Sequence, residues 1–207
     1  MKRITIIFAI FSSLTLLISC TPEDDIPSVN LEKVFTKTPE NSIQVDLVYI
    51  TSGEEKELTT YKLDFEAYLN DLNGYYFHRN KIDLKKGEIR ELQSKELYDL
   101  RDNRGHEATV LEEETKNDYN PNHITIYVMK RSNIYAKAGV SIKHRALITD
   151  EFLHTSTSPH ELGHVLGLTH SHEEGNIMNM TYPELRTEFT MDQVQIMTKQ
   201  ISNNFSK

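Results

Sequence analysis

Hydrophobic and polar residues alternate with a different period in successive stretches of the chain. After Lys2 and Arg3, the run from Ile4 to Ile18 is apolar, broken only by hydroxyl residues, and no acid precedes Cys20. A basic start followed by a short apolar run predicts an export signal over residues 1–19. A bilayer-spanning helix needs roughly 20 apolar residues, and this run falls short. The next stretch, 21–40, has no period and carries Pro22, Pro27 and Pro39 among scattered acids, so it predicts a flexible tether. Globular patterning starts with Ile43-Gln-Val45-Asp-Leu47, whose alternation predicts a strand with one buried face.

Leu63, Phe65, Tyr68, Leu69, Leu72, Tyr75 and Tyr76 recur every three to four residues and predict an amphipathic helix over 63–78. A strand over 82–89 and a short helical stretch over 91–100 are expected next. The polar, acidic segment 102–122 predicts a long surface loop. Further strands are expected over 124–128, 137–142 and 145–148. A last helix spans about 191–203, opened by a capping box from Thr190 to Gln193. Interleaved strands and helices define a mixed α/β (α+β) class.

The chain has 207 residues, 38% of them hydrophobic and 26% charged, which suits one domain, expected over 41–207, plus a tail. Its formal net charge is −8, and loss of the leader's Lys2 and Arg3 would make the remainder more acidic. No nucleic-acid partner is therefore expected. Cys20 is the single cysteine, so no disulfide can form within the domain.

The chemistry concentrates in residues 160–170, HELGHVLGLTH. His160 and His164, four apart on a helix, project from one face and can share one zinc ion. Glu161 stands at the edge of that face, where a general base can reach a metal-activated water without ligating the metal. His170 can supply a third ligand if the chain turns back, and Gly167 permits the left-handed conformation that ends a helix and turns it. Three neutral histidines leave zinc its full charge and an open fourth position. A third ligand from Glu173 or Glu174 is the competing arrangement, but these come too soon after the helix for it, and His170 already fits.

Ser158-Pro159-His160-Glu161 is formally a capping box with proline at its first helical position. If Ser158 capped the helix, Glu161 would turn back to the backbone and away from the metal. The base role therefore requires the helix to start earlier, near Ser156 or Thr157, with Pro159 in its first turn.

The eleven residues HExxHxxGxxH resemble the zinc-binding motif of the metzincin metallopeptidases, and Gly163, Leu166, Leu168 and Ser171 bring the match closest to the matrixins. Met178, in Asn176-Ile-Met-Asn179, resembles the clan's Met-turn; Met180 is the alternative, which would put Tyr182 near the reacting oxygen. The resemblance implies a twisted, mostly parallel five-stranded sheet with helices, an upper subdomain to about 168 and a lower subdomain 169–207 ending in a helix. It also implies an antiparallel edge strand around Ala138-Gly139-Val140-Ser141 that pairs with substrate, and a pocket wall near Thr181, Tyr182 and Pro183. The implied activity is zinc endopeptidase action on peptides or proteins, with one catalytic Zn2+ and Glu161 as base. The alternative is an anchored binding or adhesive protein with a non-catalytic or relic zinc site.

Leu17-Ile-Ser-Cys20 resembles the lipobox of bacterial lipoproteins, which implies acylation of Cys20 and anchoring at a membrane, expected to be the outer membrane on its periplasmic or outer face. Length, lipobox and motif together resemble small zinc-metallopeptidase lipoproteins of the bacteroidete lineage. A monomer is expected.

Overall fold

The computed structural model describes residues 31–53, 63–134 and 139–205. The expected signal peptide, Cys20 and the first part of the tether lie outside the described residues. Among those described, no helix is long and apolar enough to cross a membrane.

Strand β1 (Asn41–Thr51) buries Ile43, Val45 and Leu47 on one face and Val48 and Ile50 on the other, because helices cover both faces of the sheet. Helix α1 (Phe65–Leu72) is capped by Asp64, whose carboxylate accepts from the Ala67 amide, and buries Phe65, Tyr68, Leu69 and Leu72. Its last turns widen to a π-helix, Asn73–Phe77, then tighten to a 3-10 turn, His78–Asn80. The Asn73 side chain pairs with both backbone groups of Leu84, so this irregular stretch is tied to the next strand.

Strand β2 (Ile82–Gln93) runs four residues past the expected end at 89, held by parallel pairing with β1 out to Thr51 and Gln93. The expected helical stretch 91–100 contracts to α2 (Lys95–Tyr98), which starts only where Ser94 caps the Leu97 amide. The expected loop 102–122 contains a helix, α3 (Glu107–Thr115). Its buried stripe is Glu107, Leu111 and Thr115, two of them polar. Glu107 accepts the Gly105 amide and Thr115 accepts from Arg145 Nη1, so burial there rests on hydrogen bonds that hydrophobic periodicity does not register.

Strand β3 (Ile124–Met129) is buried at all six positions, as a central parallel strand must be. Strands β4 (Gly139–Ile142) and β5 (Arg145–Thr149) follow, joined by a turn in which Lys143 takes φ 37°. The sheet has five strands in the order β2-β1-β3-β5-β4; β4 alone is antiparallel, at the edge. Helix α1 packs on one sheet face with α4 (Thr157–Val165) and α5 (Met191–Asn204), and α2 and α3 cover the other. The mixed α/β, mostly parallel five-stranded architecture is the one expected.

The expected lower subdomain, 169–207, adds Ile177, Met178, Phe189, Met197, Ile201 and Phe205 to the same core as the sheet. The capping box of α5 is formed, with Thr190 and Gln193 satisfying each other's backbone amides. The last part of the expected tether lies against the domain: the Val34 amide donates to Gly74 O at 2.8 Å, and Lys33 pairs with Asp71.

Candidate metal centre

Helix α4 begins where the base role of Glu161 requires. Ser156 occupies the N-cap position, and the helix runs from Thr157 with Pro159 in its first turn, where a missing N–H costs nothing. Ser158 is committed elsewhere. Its amide donates to Thr155 O, and its hydroxyl donates to Leu153 O at 2.6 Å while accepting from Tyr68 at 2.9 Å. Glu161 instead points toward the edge strand, where its carboxylate accepts the Ser141 hydroxyl at 2.8 Å.

The helix stops at a paired hydrogen-bond motif. The Leu168 amide reaches back to Gly163 O and the Gly167 amide to His164 O, both at 2.9 Å, with Gly167 at φ 89°. A side chain is rarely accommodated at that angle, so glycine is what lets the chain reverse and carry His170 back. His160, His164 and His170 come together, each offering one ring nitrogen, with these atoms within 4.8 Å of one another. The Nε2 atoms of His164 and His170 are 3.0 Å apart.

The chemistry of this donor set fits a metal ion. His160 Nδ1 lies 2.8 Å from Ile177 O and His164 Nδ1 lies 2.8 Å from Leu168 O. A carbonyl can only accept, so each Nδ1 carries the proton and each Nε2 presents a lone pair to the shared centre. A cation at that centre would be bound by those lone pairs. Burial pushes His160 down to about 3 despite its bond to Ile177, and burial also lowers His164 and His170. The positive charge of Arg186 adds to the depression at all three. Neutral imidazoles near pH 7 are what ligation needs. Glu173 and Glu174, the competing third ligands, are exposed and outside this cluster.

Met178 is fully buried, and a Cβ on Gly163 would stand 2.5 Å from its sulfur, so the thioether lies directly against the helix between His160 and His164. Met180 is 58% exposed and faces the cleft instead. The turn around Met178 is held by Asn176, which accepts the Met178 amide and exchanges two amide hydrogen bonds with Gln193 of α5. Asn179, also buried, accepts the amides of Thr181 and Tyr182 and donates to Glu173 O.

A cleft of about 890 Å³ runs past the histidines and Glu161. Gly139, Val140 and Ser141 form one wall and Pro183 part of the other. Val140 sends its side chain into the core on the far sheet face. Tyr182 is half exposed and lies outside the lining, its amide spent on Asn179. Ser141 belongs to the expected substrate-pairing stretch, but its bond to Glu161, and the places of Arg186 and Asn179, have no motif spacing in the sequence to signal them.

Sheet, helix and histidine cluster together define a metzincin-like zinc metallopeptidase. The matrixin profile matches residues 78–201, and the chain belongs to the matrixin family. Two crystal structures share the fold. Archaemetzincin from Methanopyrus kandleri is 15% identical, with a TM-score of 0.51 over 81% of this chain and 100% of that one. Metalloproteinase-II from Bacteroides fragilis is also 15% identical, with a TM-score of 0.53 over 87% of this chain and 59% of that one. No curated protein sequence matches the chain significantly.

Proposed function

We propose that the protein is an endopeptidase in which Glu161 is the general base. The observation that carries this reading is the Ser141–Glu161 hydrogen bond, which aims the carboxylate into the cleft beside three converging imidazoles rather than at its own helix terminus. His160, His164 and His170 hold the zinc ion that the family implies. Bound there, zinc supplies Lewis acidity toward water and toward a peptide carbonyl.

The remaining steps belong to the chain. The outer edge of β4 has no strand beside it among the described residues, so an extended peptide can pair with Gly139, Val140 and Ser141 backbone groups and lie across the cleft. Glu161 takes a proton from the attacking water as its oxygen bonds to the carbonyl carbon. The carbon–nitrogen bond then breaks, and the same carboxylate delivers that proton to the departing nitrogen. Buried Met178 stiffens the floor beneath the ligands.

The test is Glu161→Ala against the parent on a mixed peptide library. The expected result is internal cleavage by the parent, loss of at least about 100-fold in the variant and equal zinc content in both. Zinc bound stoichiometrically by a parent that cuts no peptide would leave the binding-protein alternative standing.

The leader pattern supports a location as well. Cys20 is acylated after removal of residues 1–19, and tethers a monomeric domain to the outer membrane. Cys20→Ser should lose incorporated fatty acid and shift the protein from the membrane to the soluble fraction; unchanged membrane association would reject the anchor.

A further inference from the structure

Arg186 is a buried cation in a cleft whose lining, among the described residues, is otherwise neutral apart from the Glu161 carboxylate. It is 8% exposed, and its Nε donates to Asn179 O at 2.7 Å. Among the described residues its Nη groups have neither a hydrogen-bond nor an ion-pair partner. The two acids that act on it through space are Glu161, already engaged by Ser141, and Glu184, exposed on the neighbouring turn. Arg186 is not among the residues with a buried, unpartnered polar atom, so its free Nη donors face the solvent of the cleft they line, where a ligand can reach them.

Its position says which ligand. Phe152, Thr157, Pro183 and Arg186 border the main cleft and also a recess of about 300 Å³ opening beside it, between the start of α4 and the Pro183 turn. A peptide extended along β4 directs alternate side chains to one side, so one of them can enter this recess while its backbone pairs with the strand. Phe152 offers that side chain an apolar wall, and the free guanidinium edge offers two parallel N–H donors to a carboxylate.

We infer that Arg186 is a specificity-determining residue that binds a substrate carboxylate, so that the enzyme prefers peptides bearing an acidic group one or two residues from the cut. The carboxylate is either an internal Asp or Glu side chain or the peptide's own C-terminus. This inference rests on the peptidase reading for its cleavage arm but not for its binding arm.

The experiment uses the zinc-loaded full chain and paired peptides that differ only in Glu against Gln beside the scissile bond, each made with a free and an amidated C-terminus. The parent should cleave the Glu peptide about ten- to hundredfold more efficiently than the Gln peptide. Arg186→Gln should erase that ratio, and Arg186→Glu should shift preference toward a Lys peptide, a reversal that a purely structural role for Arg186 would not produce. If only the free C-terminus confers preference, terminal carboxylate recognition is the form the inference takes.

Binding of the same labelled peptides to zinc-loaded Glu161→Gln, followed by fluorescence anisotropy, reads recognition without turnover. If nothing is cleaved, the peptidase reading fails, and the Glu-over-Gln binding ratio and its loss in Arg186→Gln still decide this inference. Equal handling of Glu and Gln peptides by the parent in both arms overturns it, as does an unchanged preference in a folded, zinc-binding Arg186→Gln. Should Arg186→Gln not fold, the parent's own Glu-over-Gln ratio decides.

Discussion

Gly139 of the edge strand lies against Glu161 of the catalytic helix so closely that a Cβ at 139 would stand 2.7 Å from Glu161 Cγ and 2.9 Å from both Cδ and Oε1. The absence of a side chain at 139 is therefore what lets the edge strand and the Glu161 carboxylate share one wall of the cleft. Gly139→Ala should displace the carboxylate and lower kcat by about tenfold or more, with thermal stability and zinc content near those of the parent. Unimpaired turnover would show that the wall can open without disturbing Glu161.

Ser141 orients the same carboxylate with its hydroxyl. Ser141→Ala leaves Glu161 chemically intact but loose, so kcat should drop several-fold while KM changes little. Ser141→Thr, which keeps the hydroxyl, should recover part of the loss. A fall in affinity alone would assign Ser141 to substrate binding instead.

Gly163 and Met178 form a second close approach. Alanine is ordinarily the better helix residue by about 1 kcal/mol, but here its Cβ would meet the Met178 sulfur at 2.5 Å. Overpacking should win, so Gly163→Ala should destabilise by about 1–3 kcal/mol in urea unfolding. Combining it with Met178→Ala should cost less than the sum of the two single changes. Strict additivity would mean the two sites do not press on each other.

Zinc held by the proposed His160, His164 and His170 centre should stabilise the folded site. At free zinc about 100-fold above Kd the gain is about 2.7 kcal/mol, lost on chelation. His164→Ala should abolish most of this zinc-dependent shift, because it removes a ligand that Leu168 O holds in place. A parent whose melting temperature ignores chelator would contradict the metal centre.

Acid should weaken the metal-free domain. An unfolded histidine takes up its proton near 6.5, whereas burial keeps folded His160 neutral until about 3. Between those values the unfolded state binds a proton that the folded state refuses, so this contribution is complete above 6.5 and declines as pH falls toward 3. His164 and His170 are shifted in the same direction. Urea midpoints measured with chelator from about pH 7.5 to about pH 5 should fall more steeply for the parent than for His160→Gln. Parallel curves would place the acid sensitivity elsewhere.

Much of this architecture is written as local pattern. The alternation in β1, the all-apolar β3 and the three-to-four spacing of α1 each express burial through side chains that are themselves apolar. Helix α3 was not legible, because its inward positions include Glu107 and Thr115, whose burial depends on partners in a turn and in β5. The end of β2 was not legible either, since its polar residues are held as strand by backbone pairing with β1.

The same division runs through the site. Spacing alone determined that His160 and His164 share a face, that Glu161 borders it and that Gly167 can turn His170 back, because helix geometry and glycine's backbone freedom are local properties. Only the tertiary structure decided where Glu161 points, through a hydroxyl 20 residues away on the edge strand. It also chose Met178 over Met180 by burying one sulfur against Gly163, and brought Arg186 into the cleft. Those outcomes depend on which surfaces pack together, and contacts between segments distant in sequence leave no periodic trace in either one.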